Sequence, residues 1–411
     1  MFKYREYQWR IIDEAAEICA KYKFVYLAMQ VRTGKTLTSL GLANSLQSKN
    51  VLFVTKKKAI PSIQDDYFTL NPAFEICIIN YESLHKVSDL DYDMIILDEA
   101  HTLGAYPKPS KRAKQVKELI KKYKKSYVCL MSGTPTPESY SQMFHQVYGI
   151  PNNPFKNYVN FYKFAKDYVN IKQRKINALW VNDYSRGLKT ILDKVQPMTI
   201  SFTQQEAGFV NKINEEVLQV KMKPSTYYTA NQLKKYRVVE GKEEVILGDT
   251  PAKMMQKLHQ IFSGTCKFES GNFKVFDLSK AEFIKSYFAD KKIAIFYKFK
   301  AEYEAMKEVF GDKLCNNLKD FVISERHIAL QIVSGREGIS LKQADALVYY
   351  NIDFSATSYW QSRDRMTTKD RKQSKVYWIF SEGGIEKDIY KAVVKKKDYT
   401  VTHFKRDLLI L

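Results

Sequence analysis

Five short apolar runs punctuate the first third of the chain: Phe24–Met29, Val51–Thr55, Ile76–Ile79, Met94–Leu97 and Tyr127–Met131. They show little polar alternation, as expected of strands buried on both faces of a parallel sheet. Between them lie amphipathic stretches of helical length. In Lys111–Lys125, Val116, Leu119, Ile120 and Tyr123 recur at helical spacing while lysines fill the other face. Alternating strands and helices predict an α/β doubly wound sheet. Beyond Thr136 the pattern changes. Residues 137–260 read as mostly helical and rich in Tyr, Phe and Lys, with a turn or short hairpin over Glu240–Thr250. Strand signals return at Lys292–Phe296, Ile328–Val333, Ala346–Tyr350 and Val376–Phe380. The expected organisation is a first lobe over 1–205, a helical connector or insertion over 206–275 and a second α/β lobe over 276–411.

Length agrees, since 411 residues exceed one compact core. Charge adds a partner. The chain carries 66 Lys+Arg against 45 Asp+Glu, a formal net charge of +21, and such an excess points to a polyanion whose counterions are released on binding. Five scattered cysteines lack zinc-ligand spacing and read as core thiols of a reducing compartment. The start Met1-Phe2-Lys3-Tyr4-Arg5 is unlike a signal peptide, and no run of about 18 apolar residues is available to span a membrane. The expectation is a cytoplasmic protein with no membrane partner.

Two motifs bring chemistry. Gly34-Lys35-Thr36 follows the first apolar run and opens a helical stretch. A phosphate loop needs inward backbone N–H groups, a lysine for the β and γ phosphates and a hydroxyl for Mg²⁺. Gly34, Lys35 and Thr36 meet that need, with Thr33 alongside. Met29 and Arg32 stand where glycines are usual. Asp98-Glu99 ends the fourth run, and the carboxyl ends of parallel strands are where ligands bind. Asp98 is expected to hold Mg²⁺ and Glu99 to orient and deprotonate the attacking water. The expected cofactors are therefore a nucleoside triphosphate, which the resemblance below makes ATP, and Mg²⁺, with no other metal expected.

With these residues in place the chain resembles superfamily 2 helicases and translocases. Asp98-Glu99-Ala100-His101 resembles their motif II, and Ser132-Gly133-Thr134-Pro135 their motif III, with His101 linking the two. Arg5-Glu6-Tyr7-Gln8 is similar to the adenine-reading element, which puts Gln8 at the base. Lys56, Lys57 and Lys58 follow the second strand, where the family touches the nucleic-acid backbone, and Asn80-Tyr81-Glu82-Ser83-Leu84 looks like another such tract. Ser334 to Leu341 resembles motif V, implying Ser334 and Gly335 at nucleic acid and Gly338 at nucleotide. Gln361 to Arg365 resembles motif VI, whose arginine reaches the γ phosphate. Arg365 has the family spacing; Thr368 stands where a second arginine is usual, with Arg371 or Arg363 as substitutes. Tyr81–Leu84, Leu258–Ile261, Ser279-Lys280 and Glu382–Glu386 look like the remodeller-type (Swi/Snf-like) branch, in a compact form similar to bacteriophage members.

The resemblance implies two RecA-like lobes that close on ATP, a monomer, and a DNA-stimulated ATPase translocating on duplex or branched DNA in a bacterial cell or phage-infected host. DNA is favoured over RNA. Two rivals stand beside it. One is a strand-separating helicase, with Gly241–Gly248 as the place for its wedge. The other is a nucleic-acid clamp or sensor that uses ATP only as a switch. Tyr158, Phe161, Phe164 and Tyr168 fall at helical spacing and read as core.

Overall fold

The computed structural model describes residues 3–176, 179–209, 212–241, 243–335, 339–368 and 371–395. The chain divides into two compact units, Met1–Gly208 and Phe209–Leu411, and each is a RecA-like α/β lobe.

The first unit is built on six parallel strands: β1 (Phe24–Met29), β2 (Asn50–Thr55), β3 (Glu75–Asn80), β4 (Met94–Leu97), β5 (Tyr127–Met131) and, after an antiparallel hairpin of β6 (Lys172–Ile176) and β7 (Leu179–Asp183), β8 (Thr199–Phe202). Their order is β3-β2-β4-β5-β1-β8. The chain leaves β1, next to the edge strand β8, crosses past β5 and β4 to β2 and β3, and then turns back to β4 and β5. Such a reversal opens a crevice at the carboxyl ends of the strands, and the phosphate loop and acidic pair both sit at those ends. Helix α1 (Glu6–Tyr22) packs Ile11, Ile12, Ala15 and Cys19 inward. Helix α2 (Lys35–Ser45) starts directly at the loop. The aromatic stripe is core: Phe161 and Phe164 are buried, with Tyr158 and Tyr168 packed against them.

The second unit has six parallel strands in the order β15-β16-β14-β17-β18-β9. They are β9 (Lys212–Val220), β14 (Ile293–Tyr297), β15 (Leu314–Cys315), β16 (His327–Gln331), β17 (Ala346–Tyr349) and β18 (Gln373–Ser381). Two small hairpins lie between β9 and β14 in the chain: β10 (Val238–Glu240) with β11 (Val245–Leu247), and β12 (Thr265–Lys267) with β13 (Phe273–Val275). The stretch 206–275 is therefore not a separate helical connector. Its strand β9 runs beside β18 over nine register pairs, and its helices Pro224–Tyr236 and Pro251–Ile261 put Leu233, Met254 and Leu258 into the core of the second unit. Ile332 and Val333, expected to end a strand, instead begin the short helix Ile332–Gly335.

Glu215 explains why a polar strand belongs in this core. Its carboxylate accepts from the Tyr359 hydroxyl (2.8 Å), Arg363 Nη1 (2.7 Å) and the Trp378 indole N–H (2.9 Å). Lys280 and Glu386, 106 positions apart, form an ion pair at 2.7 Å with both side chains fully buried. The five cysteines are free thiols. Among the described residues no helix is long and apolar enough to cross a membrane.

Candidate nucleotide site and nucleic-acid-facing residues

The loop after β1 turns through two left-handed residues, Arg32 (φ 65°) and Gly34 (φ 82°). A side chain at 34 would place its Cβ 2.5 Å from Gln8 Nε2, so glycine is required there, whereas position 32 tolerates arginine. Gln8 is buried; its Oε1 accepts from the Arg5 N–H (3.0 Å) and its Nε2 donates to the Gly34 carbonyl (3.5 Å). It thereby ties α1 to the loop. Thr33 differs from expectation. Its hydroxyl and its N–H both go to the Gln30 carbonyl, at 2.8 and 3.4 Å, and its side chain is buried, so it shapes the loop instead of offering a group to phosphate. Lys35 and Thr36 are half-buried at the start of α2. Gly133 keeps room for the Lys35 ammonium, since a Cβ there would lie 3.3 Å from Nζ.

The acidic pair is half-buried just past the end of β4. Asp98 Oδ2 accepts from the Thr55 hydroxyl (2.8 Å), and Oδ1 from the Glu99 N–H (2.9 Å). Burial and the neighbouring Glu99 charge push the Asp98 carboxyl up to about 6, against the pull of Lys35. Glu99 sits at φ 51°. Burial acts to raise its carboxyl, but His101, Lys35 and Lys56 outweigh it and hold Glu99 well below the usual carboxylate range. Glu99 Oε2 lies 3.2 Å from His101 Nδ1, off the line of a hydrogen bond, and is buried without a hydrogen-bond partner. His101 Nδ1 bonds the Ser132 hydroxyl oxygen (2.9 Å), which also accepts from the Thr134 N–H (3.1 Å). The expected link between motifs II and III is present. An ammonium, a hydroxyl, two carboxylates and an orphaned carboxylate oxygen at one sheet end fit a magnesium nucleotide.

Other expected residues fall less simply. Tyr81 is 1% exposed, and its hydroxyl donates to the Asp98 carbonyl (2.6 Å). It supports the acidic pair and cannot present its ring to nucleic acid. Lys57 is exposed and Lys56 half-buried on the turn after β2. In the second unit Ser334 lies within the short helix Ile332–Gly335. Gly335 is buried, and a Cβ there would come 2.7 Å from Phe296 Cε1; its smallness serves packing. Gly338 lies outside the described residues. Arg365 is 8% exposed and donates from Nε to the Gln361 carbonyl (3.0 Å). Arg371 donates from Nη2 to the Ala344 carbonyl (2.7 Å) and leaves Nη1 buried without a hydrogen-bond partner. Arg363 is committed to Glu215 and stacks over Trp360 at 4.2 Å, so it is a structural cation.

Sequence reasoning missed the brace behind the loop. After β8, the Gln204 N–H donates to Gln30 Oε1 (2.8 Å) and Gln204 Nε2 donates to the Val31 carbonyl (2.9 Å). Tyr7 stacks on Phe202 at 4.7 Å and donates its hydroxyl to the Thr33 carbonyl (3.1 Å). The signal was the short apolar run ending in Phe202, too brief to separate from its surroundings.

Residues 1–137 match the family described as type III restriction enzyme, res subunit. No curated protein matches the chain. Similar solved structures include the Sulfolobus solfataricus SWI2/SNF2 ATPase core in complex with dsDNA, with 14% identity, TM-score 0.44, and coverage of 98% of this chain and 92% of that one. The Sulfolobus solfataricus SWI2/SNF2 ATPase core domain has 14% identity, TM-score 0.43, and coverage of 96% and 89%. The family match covers the lobe that carries Lys35, Asp98 and Glu99, and with that site the chain is an ATP-hydrolysing, helicase-like enzyme.

Proposed function

We propose that this hydrolase is a DNA-stimulated ATPase that translocates on duplex or branched DNA. The observation that carries the reading is the wiring of the acidic pair: Glu99 lies against His101, and His101 bonds Ser132 at the head of motif III. A change at the catalytic carboxylate is thus transmitted to a segment beyond the nucleotide. Lys35 would bind the β and γ phosphates, while Thr36 and Asp98 would hold the metal. When bound, Mg²⁺ neutralises phosphate charge and aligns the oxygens for in-line attack. Glu99, kept ionised, would take the proton of the attacking water. Arg365 of the second lobe would supply charge to the γ phosphate, and Arg371 is the remaining candidate for the second arginine. Lys56 and Lys57 would meet the DNA backbone, giving sequence-tolerant, salt-sensitive binding.

The test is ATPase activity with no nucleic acid, single-stranded DNA, duplex DNA and RNA in parallel. Stimulation by DNA is expected, and no stimulation by any of the three would sink the motor reading. Negligible steady-state turnover with ATP binding intact would favour a clamp. Lys35→Ala is expected to abolish turnover, and Arg365→Ala to lose turnover while retaining ATP binding.

A further inference from the structure

Two hairpins compete for the part that meets unpaired DNA. The one expected at Gly241–Gly248 is poorly suited. Its turn carries three acids, Glu240, Glu243 and Glu244, against one cation, Lys242, and Glu244 is tied down by Ser270 (2.7 Å) and Asn272 (2.9 Å) of the neighbouring turn. An acidic, anchored loop repels a phosphate chain.

The hairpin β6–β7 of the first unit is its opposite. It forms a two-stranded sheet of its own, paired from Lys172↔Asp183 to Ile176↔Leu179. Between Ile171 and Arg186 the sequence has four cations (Lys172, Arg174, Lys175, Arg186) and one acid (Asp183). Trp180 is 66% exposed, with Val181 at 46%. An indole left in water on a short ribbon gains nothing for the fold and marks a contact surface. The backbone register sets position 180 opposite 175 and position 181 opposite 174, and Lys172 at the base of the hairpin is exposed. An exposed indole on a ribbon whose sequence carries four cations against one acid suits a nucleobase and its phosphate.

The base of the hairpin is fixed to the segment that follows motif III. The Ser141 hydroxyl donates to the Tyr184 carbonyl (2.7 Å), and a Cβ on Gly187 would lie 2.5 Å from the Ser141 nitrogen. Ser141 N–H donates to Ser139 Oγ (3.1 Å), and Gln142 Oε1 accepts from the Glu138 and Ser139 N–H groups. The ribbon is thus mounted on residues 139–142, a few positions after Ser132, the partner of His101.

We infer that the β6–β7 hairpin is a nucleic-acid-engaging arm that stacks Trp180 on unpaired bases of branched DNA. The inference rests on the nucleic-acid reading above and names the DNA feature that the site takes.

The test is equilibrium binding, with a non-hydrolysable ATP analogue, to a forked duplex with unpaired dT arms and to a blunt duplex of equal length. Trp180→Ala is expected to weaken fork binding about tenfold, the loss of one base stack, and to leave its salt dependence unchanged because no charge is removed. Trp180→Phe is expected to restore most of it. Lys172→Gln is expected to lower the salt slope by about one. Fork binding by Trp180→Ala equal to wild type, or equal losses on fork and blunt DNA, overturns the arm. Failure of any DNA to stimulate wild-type ATPase defeats the motor reading alone, since the binding comparison still decides the hairpin. No DNA binding at about 50 mM salt defeats both.

Discussion

Asp98 and Glu99 are adjacent carboxylates held in opposite protonation regimes. Asp98, pushed up to about 6 by burial and by its neighbour's charge, is ionised and open to a cation above that pH and protonated below it. Magnesium-dependent ATP binding is therefore expected to weaken as pH falls from about 7.5 to about 5.5, and Asp98→Asn to abolish that dependence in a calorimetric titration. Glu99 stays ionised across the same range, so Glu99→Gln is expected to bind ATP normally while single-turnover hydrolysis drops by about 10²–10⁴. Tyr81→Phe removes only the bond to the Asp98 carbonyl and is expected to cost about 1 kcal/mol in chemical denaturation. Lys35, Asp98 and Glu99 were legible in the sequence because the chemistry dictates the residue types and their place after apolar strands. Thr33 and Tyr81 were misplaced because a motif does not say which way a side chain points. Both turned inward to hold backbone carbonyls.

Among the elements, those with two buried faces were readable and those that broke the hydrophobic pattern were not. The runs that form β1 to β5 are continuous apolar stretches. Strand β9 was hidden by Asn214, Glu215 and Glu216, because what holds it to the sheet is a carboxylate amid Tyr359, Arg363 and Trp378 instead of an apolar face. The ribbon β6–β7 was hidden because Lys172, Gln173, Arg174 and Lys175 give its first strand no apolar period. Across elements, Lys280 on the helix Ser279–Tyr287 and Glu386 on the helix Glu386–Val394 meet in full burial. Breaking such a pair strands a charge, whereas removing both ends need not destabilise. Lys280→Met is expected to lower stability by about 3 kcal/mol, and Lys280→Met with Glu386→Leu to regain most of it, as read by urea denaturation.

For the whole molecule, the charge of +21 would set the scale of affinity for the proposed DNA partner more than any single contact. Raising salt from about 50 to about 200 mM is expected to weaken blunt-duplex binding by about 10³, with little preference among sequences; a shallow salt response would mean that the excess charge lies elsewhere. Both lobes grip the chain between them in the same way, by an edge strand laid parallel to its neighbour. The grips differ in length: β8 matches β1 over four register pairs, while β9 matches β18 over nine. Tension along the intervening chain would load both ladders in shear, and the shorter one, in the first lobe, would yield first. Gln204, just past β8, holds Gln30 and Val31 of the phosphate loop. A pull along the intervening chain would therefore reach the phosphate loop before it disturbed the second lobe.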